Sequence, residues 1–337
     1  MRRVGAGGGA WIVWAYRMTA PRRFERCEVE SPDAGALAPG EVLLRTTAGG
    51  ICGSDMPYVA GRISEEYTPA DPRWPGEPGR PMHEVAGTVV ASRSEGLLQG
   101  DQVVGWASSA NAIAEYVVTD GSGLCPYDPQ LPAETAVSMQ PLACVLYVLE
   151  RLGPLQGSSV AVLGLGAIGM LFAHTVHDAG AAQVIGIDPI DRRGLADRYG
   201  LDDVVVAPSD RWLASLDGDA RPDVVIEAVG HQAGTLSDAV EAVAPGGRVF
   251  YFGIPDDFSY PLNLNRFLRK DLTLQAGLTR DRRRMLAAAG RYLDEHPELA
   301  KSYVTEVFPV SRIEEAFASY AEPAPDRLKV IVTMTEG

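Results

Sequence analysis

Residues 159–188 read SVAVLGLGAIGMLFAHTVHDAGAAQVIGID. An apolar run leads into Gly164, Gly166 and Gly169, spaced G-x-G-x-x-G, after which Ile168, Leu171, Phe172, Thr175, Val176 and Ala179 recur at helical spacing. This predicts a strand, a glycine turn and a helix with one buried face. In a chain with 36 glycines the spacing alone would arise by chance, and the flanking strand and helix are what give it meaning. Gly164 permits a tight turn, Gly166 lets the backbone approach a pyrophosphate, and Gly169 lets the helix pack close to the strand. The helix start at Ala167 and Ile168 then presents free N–H groups and partial positive charge to phosphate. Asp188 closes the next strand, where a carboxylate accepts hydrogen bonds from a ribose diol and repels a 2′-phosphate. The expected cofactor is NAD rather than NADP, with Arg192 and Arg193 near enough in sequence to soften that preference.

Outward from this segment the texture continues. AQVIGID, DVVIEAVG and RVFYFGI are short apolar strands separated by helical patterns, the signature of βαβ units and a doubly wound parallel sheet. This α/β, Rossmann-type domain is expected over 151–279. Before it, GEVLLRT, EVAGTVVAS, GDQVVGW and AEYVVTD are β-branched runs separated by Gly and Pro, which predicts a mostly antiparallel β domain. The tail carries an Arg-rich helix, EVFPVSRIEEAFASYA and LKVIVTM, and resembles the first part. The second expected domain is therefore 1–150 together with 280–337. Residues 61–81, GRISEEYTPADPRWPGEPGRP, hold five prolines and no period, and are expected to form an irregular loop.

Hydrophobic residues make up 46% of the 337 and charged residues 22%, an ordinary globular composition. A net charge of −14 argues against a nucleic-acid partner, since phosphate binding rests on Lys and Arg. No apolar run approaches the ~20 residues that span a bilayer, and residues 1–9 lack a secretory apolar core. No membrane association and a cytoplasmic location are expected. The four cysteines, Cys27, Cys52, Cys125 and Cys144, are too sparse for a disulfide scaffold.

Three segments carry borderline or soft metal ligands: GGICGSD with Cys52, PMHEVAG with His83 and Glu84, and QPLACVLY with Cys144. Three protein ligands with one open position make a catalytic zinc site. Taken in order, GICGSD, the His-Glu pair, GDQVVGW, AEYVV, GLGAIG, EAVG, GGRVFYFG and IEEAF resemble the medium-chain dehydrogenase/reductase superfamily. Within it they look like the zinc-dependent alcohol and polyol dehydrogenases. The resemblance runs from about residue 11 to 334. It implies a GroES-like catalytic domain beside the Rossmann domain, and an enzyme passing hydride between NAD(H) and a small alcohol or its carbonyl. Cys52, His83 and Cys144 match zinc ligands. Glu84 matches a carboxylate behind the metal or transiently on it, and Asp55 an acid that orients the ligating histidine. Ser54 matches the hydroxyl that takes the substrate's proton. Val229 and Gly230, Phe252 to Ile254 including Gly253, and Ala276 to Leu278 including Gly277 match cofactor-bordering backbone. Arg193 lies near the expected ribose, and Lys329 matches a basic residue near the cofactor phosphates. The resemblance also implies a homodimer or homotetramer.

The chain departs from that pattern in several places. WASSANAI, at 106–113, has no cysteine where many relatives carry a four-cysteine structural-zinc lobe, so one catalytic zinc and no structural zinc is expected. Pro57 occupies the place of a proton-relay histidine, and Met82 the place of a glycine, where its side chain would crowd the metal or line the pocket. Gln140 stands where polyol and threonine dehydrogenases more often place a carboxylate, leaving Cys144 either a ligand or a buried helix cysteine. Tyr58, Trp74 and Trp106 either line an aromatic pocket under the 61–81 loop or pack in an inter-domain hinge. Two other readings stay open: a same-fold reductase of a C=C or C=N bond with zinc structural or absent, and a non-catalytic nucleotide-binding protein.

Overall fold

The computed structural model describes residues 11–62, 75–217, 220–257 and 259–335. Backbone contacts divide the chain into two units: Met1–Ala143 with Asp281–Glu322 and Lys329–Gly337, and Cys144–Arg280 with Pro323–Leu328. The first boundary falls inside the helix Met139–Leu152, ahead of the expected residue 150. The segment Pro323–Leu328 is counted with the second unit rather than with the tail around it.

The second unit is a six-stranded sheet formed by β1 (Ser159–Leu163), β2 (Gln183–Asp188), β3 (Asp203–Val206), β4 (Val224–Glu227), β5 (Arg248–Tyr251) and β6 (Thr273–Ala276). All pairings are parallel, in the order β3-β2-β1-β4-β5-β6. Parallel strands covered on both faces need apolar side chains at consecutive positions. Val160, Ala161 and Val162 on β1, and Val224, Val225 and Ile226 on β4, are all 0% exposed. The helix after β1 is Ala167–Asp178. Its buried face is wider than the predicted stripe, because Met170 and Ala173 are buried while Ile168 is half-buried and Ala179 exposed. The helix also packs against the turn Asp197–Tyr199, with the His174 and Tyr199 rings 6.3 Å apart, so a second side is covered.

The first unit holds a seven-stranded sheet in the order Val304–Pro309, Lys329–Thr333, Glu41–Gly50, Glu84–Ser92, Gln102–Trp106, Leu124–Pro126, with Tyr116–Asp120 also paired to Glu41–Gly50. Only the first of these pairings is parallel. Ile12–Ala20 and Arg23–Glu30 form a separate hairpin. Val42, Leu44, Val85, Val89, Val103, Val117, Val330 and Val332 make one core. The register sets Gly50 opposite Glu84 on one side and Ile331 on the other, so three strands bring their ends together beside Cys52. Most of the expected irregular loop, and Trp74 with it, lies outside the described residues. No described helix is long and apolar enough to cross a membrane.

The glycine turn separates two tasks. Gly164 has φ +87°, in the left-handed region that side chains avoid. A Cβ on Gly169 would lie 1.7 Å from the Gly164 carbonyl oxygen, whereas one on Gly166 would meet nothing within 4 Å. Gly169→Ala is therefore expected to cost about 3 kcal/mol, the upper end of ordinary overpacking, because backbone blocks it. Gly166→Ala should stay within about 0.5 kcal/mol. Urea unfolding of the two variants checks this contrast.

Candidate functional site

In the first unit the site grows from the end of the strand Glu41–Gly50. Cys52 is extended backbone entering the tight turn Gly53–Asp55, and Pro57 opens the short helix Met56–Val59. Proline suits a first helical turn, where its missing N–H has no intrahelical acceptor. Asp55 is 4% exposed and faces two ways. Its Oδ2 accepts from the Cys52 backbone N–H at 2.9 Å, and its Oδ1 from His83 Nδ1 at 2.9 Å. With its Nδ1 proton held by Asp55, His83 keeps Nε2 for a metal. Burial works against a charged imidazole here. The Asp55 carboxylate, by charge and hydrogen bond, and then Cys52 outweigh it and carry His83 well above its ordinary range. A cation in the same place competes with that proton, because a ligand nitrogen must be neutral.

Glu84 begins the next strand and is fully buried. Its Oε1 accepts from Lys329 Nζ at 2.5 Å, and Lys329 also donates to the Ile51 carbonyl at 2.9 Å. Burial pushes the Glu84 carboxyl up, opposed by the charges of Lys329 and His83. The other oxygen, Oε2, is buried and has no hydrogen-bond partner. Gly50 makes room for it, since a Cβ there would lie 2.1 Å from Oε2. Ligand atoms of Cys52, His83 and Glu84 all lie within 4.8 Å of one another. A cysteine sulfur, an imidazole nitrogen and a carboxylate oxygen are a donor set that zinc accepts, so the residues fit the metal.

Several expectations resolve differently. Lys329, matched by resemblance to the cofactor phosphates, is 2% exposed and turned inward onto Glu84 and Ile51. A buried carboxylate needs such a partner, which is why the ammonium sits there. Met82 does not line a pocket: it is 0% exposed, with its sulfur against Gly49 in the core. Cys144 is half-buried on the helix Met139–Leu152, is counted with the second unit, and is not in the converging group. Gln140, on the same helix, is buried. Tyr58 is faced by Arg80 at 5.8 Å and Trp106 by Arg282 at 4.9 Å, so each aromatic carries a guanidinium. Ser54 is half-buried on the Gly53–Asp55 turn. Sequence reasoning missed Tyr320, whose hydroxyl stands 3.5 Å from where a Cβ on Gly53 would be. Burial, then Cys52, Glu84 and Asp55, raise that phenol well above its ordinary range, keeping it a donor. Helical spacing after IEEAF gave no signal for it.

In the second unit the glycine turn lies beside the ends of adjacent parallel strands. Asp188 is 8% exposed, and its oxygens accept from Leu165 N and Ile190 N, each at 2.7 Å. A carboxylate has about four acceptor sites, so two remain for a ribose diol. Arg193 is exposed and paired with Asp191, whose carboxyl it holds down at about 2. Arg192 is buried and donates to the carbonyls of Ala324, Pro325 and Arg327. Val229, Gly230, Phe252 and Gly253 are gathered around Glu227, a residue the sequence reading passed over. Ile254 accepts from His231 N at 2.7 Å, and Gly277 follows β6. The open space over Gly166 is the room a phosphate needs, so the residues of this turn fit a dinucleotide.

Removing one partner of a buried ion pair leaves the other uncompensated. Lys329→Met is expected to destabilise the chain by about 3–5 kcal/mol, and the double variant with Glu84→Gln to recover most of it. Thermal or urea unfolding of the single and double variants checks this.

Comparison with known proteins follows the same division. An alcohol dehydrogenase GroES-like domain model matches residues 38–139, and a zinc-binding dehydrogenase model matches 167–293. An L-threonine 3-dehydrogenase of Caldanaerobacter subterraneus subsp. tengcongensis is 25% identical over 324 residues, covering 86% of this chain and 91% of the relative. An erythritol/L-threitol dehydrogenase of Mycolicibacterium smegmatis is 26% identical, over 64% of this chain and 70% of the relative. The structure of an alcohol dehydrogenase from Thermus sp. ATN1 superposes with a TM-score of 0.73 at 26% identity, covering 95% of this chain and 99% of that one. With both domain models matched in order, the chain belongs to the zinc-dependent alcohol and polyol dehydrogenase-like proteins of the medium-chain dehydrogenase/reductase superfamily.

Proposed function

We propose that this chain is a zinc- and NAD-dependent dehydrogenase that moves a hydride between the carbinol carbon of a small secondary alcohol, a polyol or amino alcohol, and nicotinamide. The observation that carries this is the convergence of Cys52, His83 and Glu84 within 4.8 Å, with Asp55 behind the histidine, in a chain that also holds the Gly164 turn. Relatives named for L-threonine and for erythritol and L-threitol support a substrate with a second polar group beside the reacting hydroxyl.

Cys52 and His83 would hold the zinc, with Cys144 or Glu84 as the third ligand. When bound, zinc would supply Lewis acidity toward an alcohol oxygen and NAD a nicotinamide able to accept hydride. The protein does the rest. Asp55 fixes the His83 ring and its tautomer through one hydrogen bond and the Cys52 turn through another. Lys329 offsets the Glu84 charge through Oε1, and Oε2 has no hydrogen-bond partner. Ser54 takes the substrate proton at the same turn. Pro57 cannot pass that proton on, and Tyr320 offers a second hydroxyl against Gly53. Asp188 favours NAD by accepting from a ribose diol, and Arg193, engaged by Asp191, is not poised to welcome a 2′-phosphate.

One zinc per chain is proposed, since residues 107–115 between the strands Gln102–Trp106 and Tyr116–Asp120 hold no cysteine. A homodimer or homotetramer is proposed as well. Its support is the edge strand β6, with Leu264, Leu268 and Leu278 exposed on either side of it in the chain.

Zinc-loaded protein screened against alcohols, polyols and amino alcohols should form NADH faster than NADPH from at least one vicinal diol or amino alcohol. Asp188→Ser should narrow or reverse that cofactor preference. Full activity in protein holding under half an equivalent of zinc would contradict the zinc assignment. Asp55→Asn should weaken zinc binding by about 10–100-fold in competition with a chromogenic chelator. Unchanged affinity would remove Asp55 from its orienting role.

A further inference from the structure

A carboxylate buried without a cation is costly, and a fold that keeps one supplies several hydrogen-bond donors to it. Glu227, the last residue of β4, is 0% exposed and has no ion pair among the described residues. Its Oε1 accepts from Thr235 Oγ1 at 2.8 Å, Gly230 N at 3.1 Å and Val229 N at 3.2 Å. Its Oε2 accepts from Gly253 N at 3.2 Å. Its main-chain carbonyl accepts from Phe252 N at 2.9 Å. One residue thus gathers the loop after β4 and the loop after β5.

The same two loops are tied again nearer the surface. His231 Nδ1 and Asp256 Oδ1 are 2.5 Å apart, with side chains 25% and 33% exposed. His231 has φ +54°, a conformation that L side chains rarely adopt, and its N–H donates to Ile254 O at 2.7 Å. Asp256 N donates to Tyr260 Oη at 2.9 Å. The loop after β4 also lies against the glycine turn, since a Cβ on Gly164 would be 2.8 Å from Val229 Cγ2 and 3.2 Å from Val229 N. These loops leave the C-terminal ends of β1, β4 and β5, adjacent strands in the sheet. The strand order reverses between β1 and β4, where doubly wound sheets bind ligands.

We propose that Glu227 is a positioning residue for the dinucleotide. Its carboxylate draws Val229, Gly230 and Gly253 together, setting the spacing of two cofactor-bordering loops against the glycine turn, and the His231–Asp256 pair is their second fastening. This rests on the reading above that these loops border NAD. Only a carboxylate can accept on both oxygens, whereas a glutamine of the same shape turns an NH₂ toward an N–H or O–H donor. Loop spacing should govern how tightly the dinucleotide is held rather than the speed of hydride transfer once it is saturating.

The test is NADH affinity, followed by nicotinamide fluorescence on zinc-loaded protein, together with unfolding temperature and a KM-against-kcat comparison. Glu227→Gln should weaken NADH binding by about tenfold or more, the loss expected for a hydrogen bond to a charged group. KM for NAD should rise in step, with kcat at saturating NAD nearly unchanged. Glu227→Asp should recover part of the affinity. Asp256→Asn, at a partly exposed position that should not compromise folding, should weaken NADH binding by a smaller factor. Wild-type NADH affinity in Glu227→Gln, even with a lowered unfolding temperature, would make the carboxylate merely structural and overturn the inference. If Glu227→Gln does not fold, unchanged affinity in Asp256→Asn overturns it instead. A wild-type chain that binds neither NADH nor NADPH overturns the proposed function and this inference together. Wild-type binding with unaffected variants overturns this inference alone.

Discussion

Asp55 is the constraint on which the proposed metal centre depends. One carboxylate oxygen holds the backbone of Cys52 and the other holds the ring of His83, and the group is nearly excluded from water. The two residues come from different strand ends, which the sheet register brings together and this bridging acceptor fastens. Holding Nδ1 also decides which ring nitrogen faces the ligand group. Lys329 and Glu84 form a second buried pair, and a carboxylate oxygen of Glu84 belongs to the converging set.

The sheet makes this possible. Gly50 lies opposite Glu84 and beside the strand of Lys329, and its missing side chain leaves the room that Glu84 Oε2 occupies. The second unit uses the same device. Gly169 lets the helix approach the carbonyl of Gly164, while Gly166 leaves space open to a ligand. A glycine in each unit therefore serves packing, whereas Gly166 is free of packing demands.

The Rossmann half was legible in the sequence because its evidence is local. Strand, glycine spacing, helix period and the closing Asp188 all fall within 159–188. The metal half was not local. Cys52, His83 and Glu84 converge only through strand register, and a resemblance was needed to group them. Cys144 belonged to that resemblance, and the converging atoms do not include it. Lys329 was matched to phosphates because a basic residue near the last strand carries no mark of its partner. Its carboxylate is 245 residues away, and only the folded sheet pairs them. Met82 was read toward the metal, but its backbone direction sends it into the core against Gly49. Tyr320 and Glu227 were unmarked for the same reason: one is a tyrosine near the end of an amphipathic helix, the other an acid closing an apolar strand. Burial gives each its role, and burial is a property of the fold.

The central claim is that Cys52, His83 and a carboxylate or further thiolate form one mixed-ligand zinc site and that the chain holds no other. X-ray absorption at the zinc edge, on protein loaded to equilibrium and freed of excess metal, tests it most directly. The expected result is close to one zinc per chain, with one or two sulfur ligands at about 2.3 Å and the remaining ligands nitrogen or oxygen at about 2.0–2.2 Å. A four-sulfur shell, a shell without sulfur, or two zinc ions per chain would contradict it.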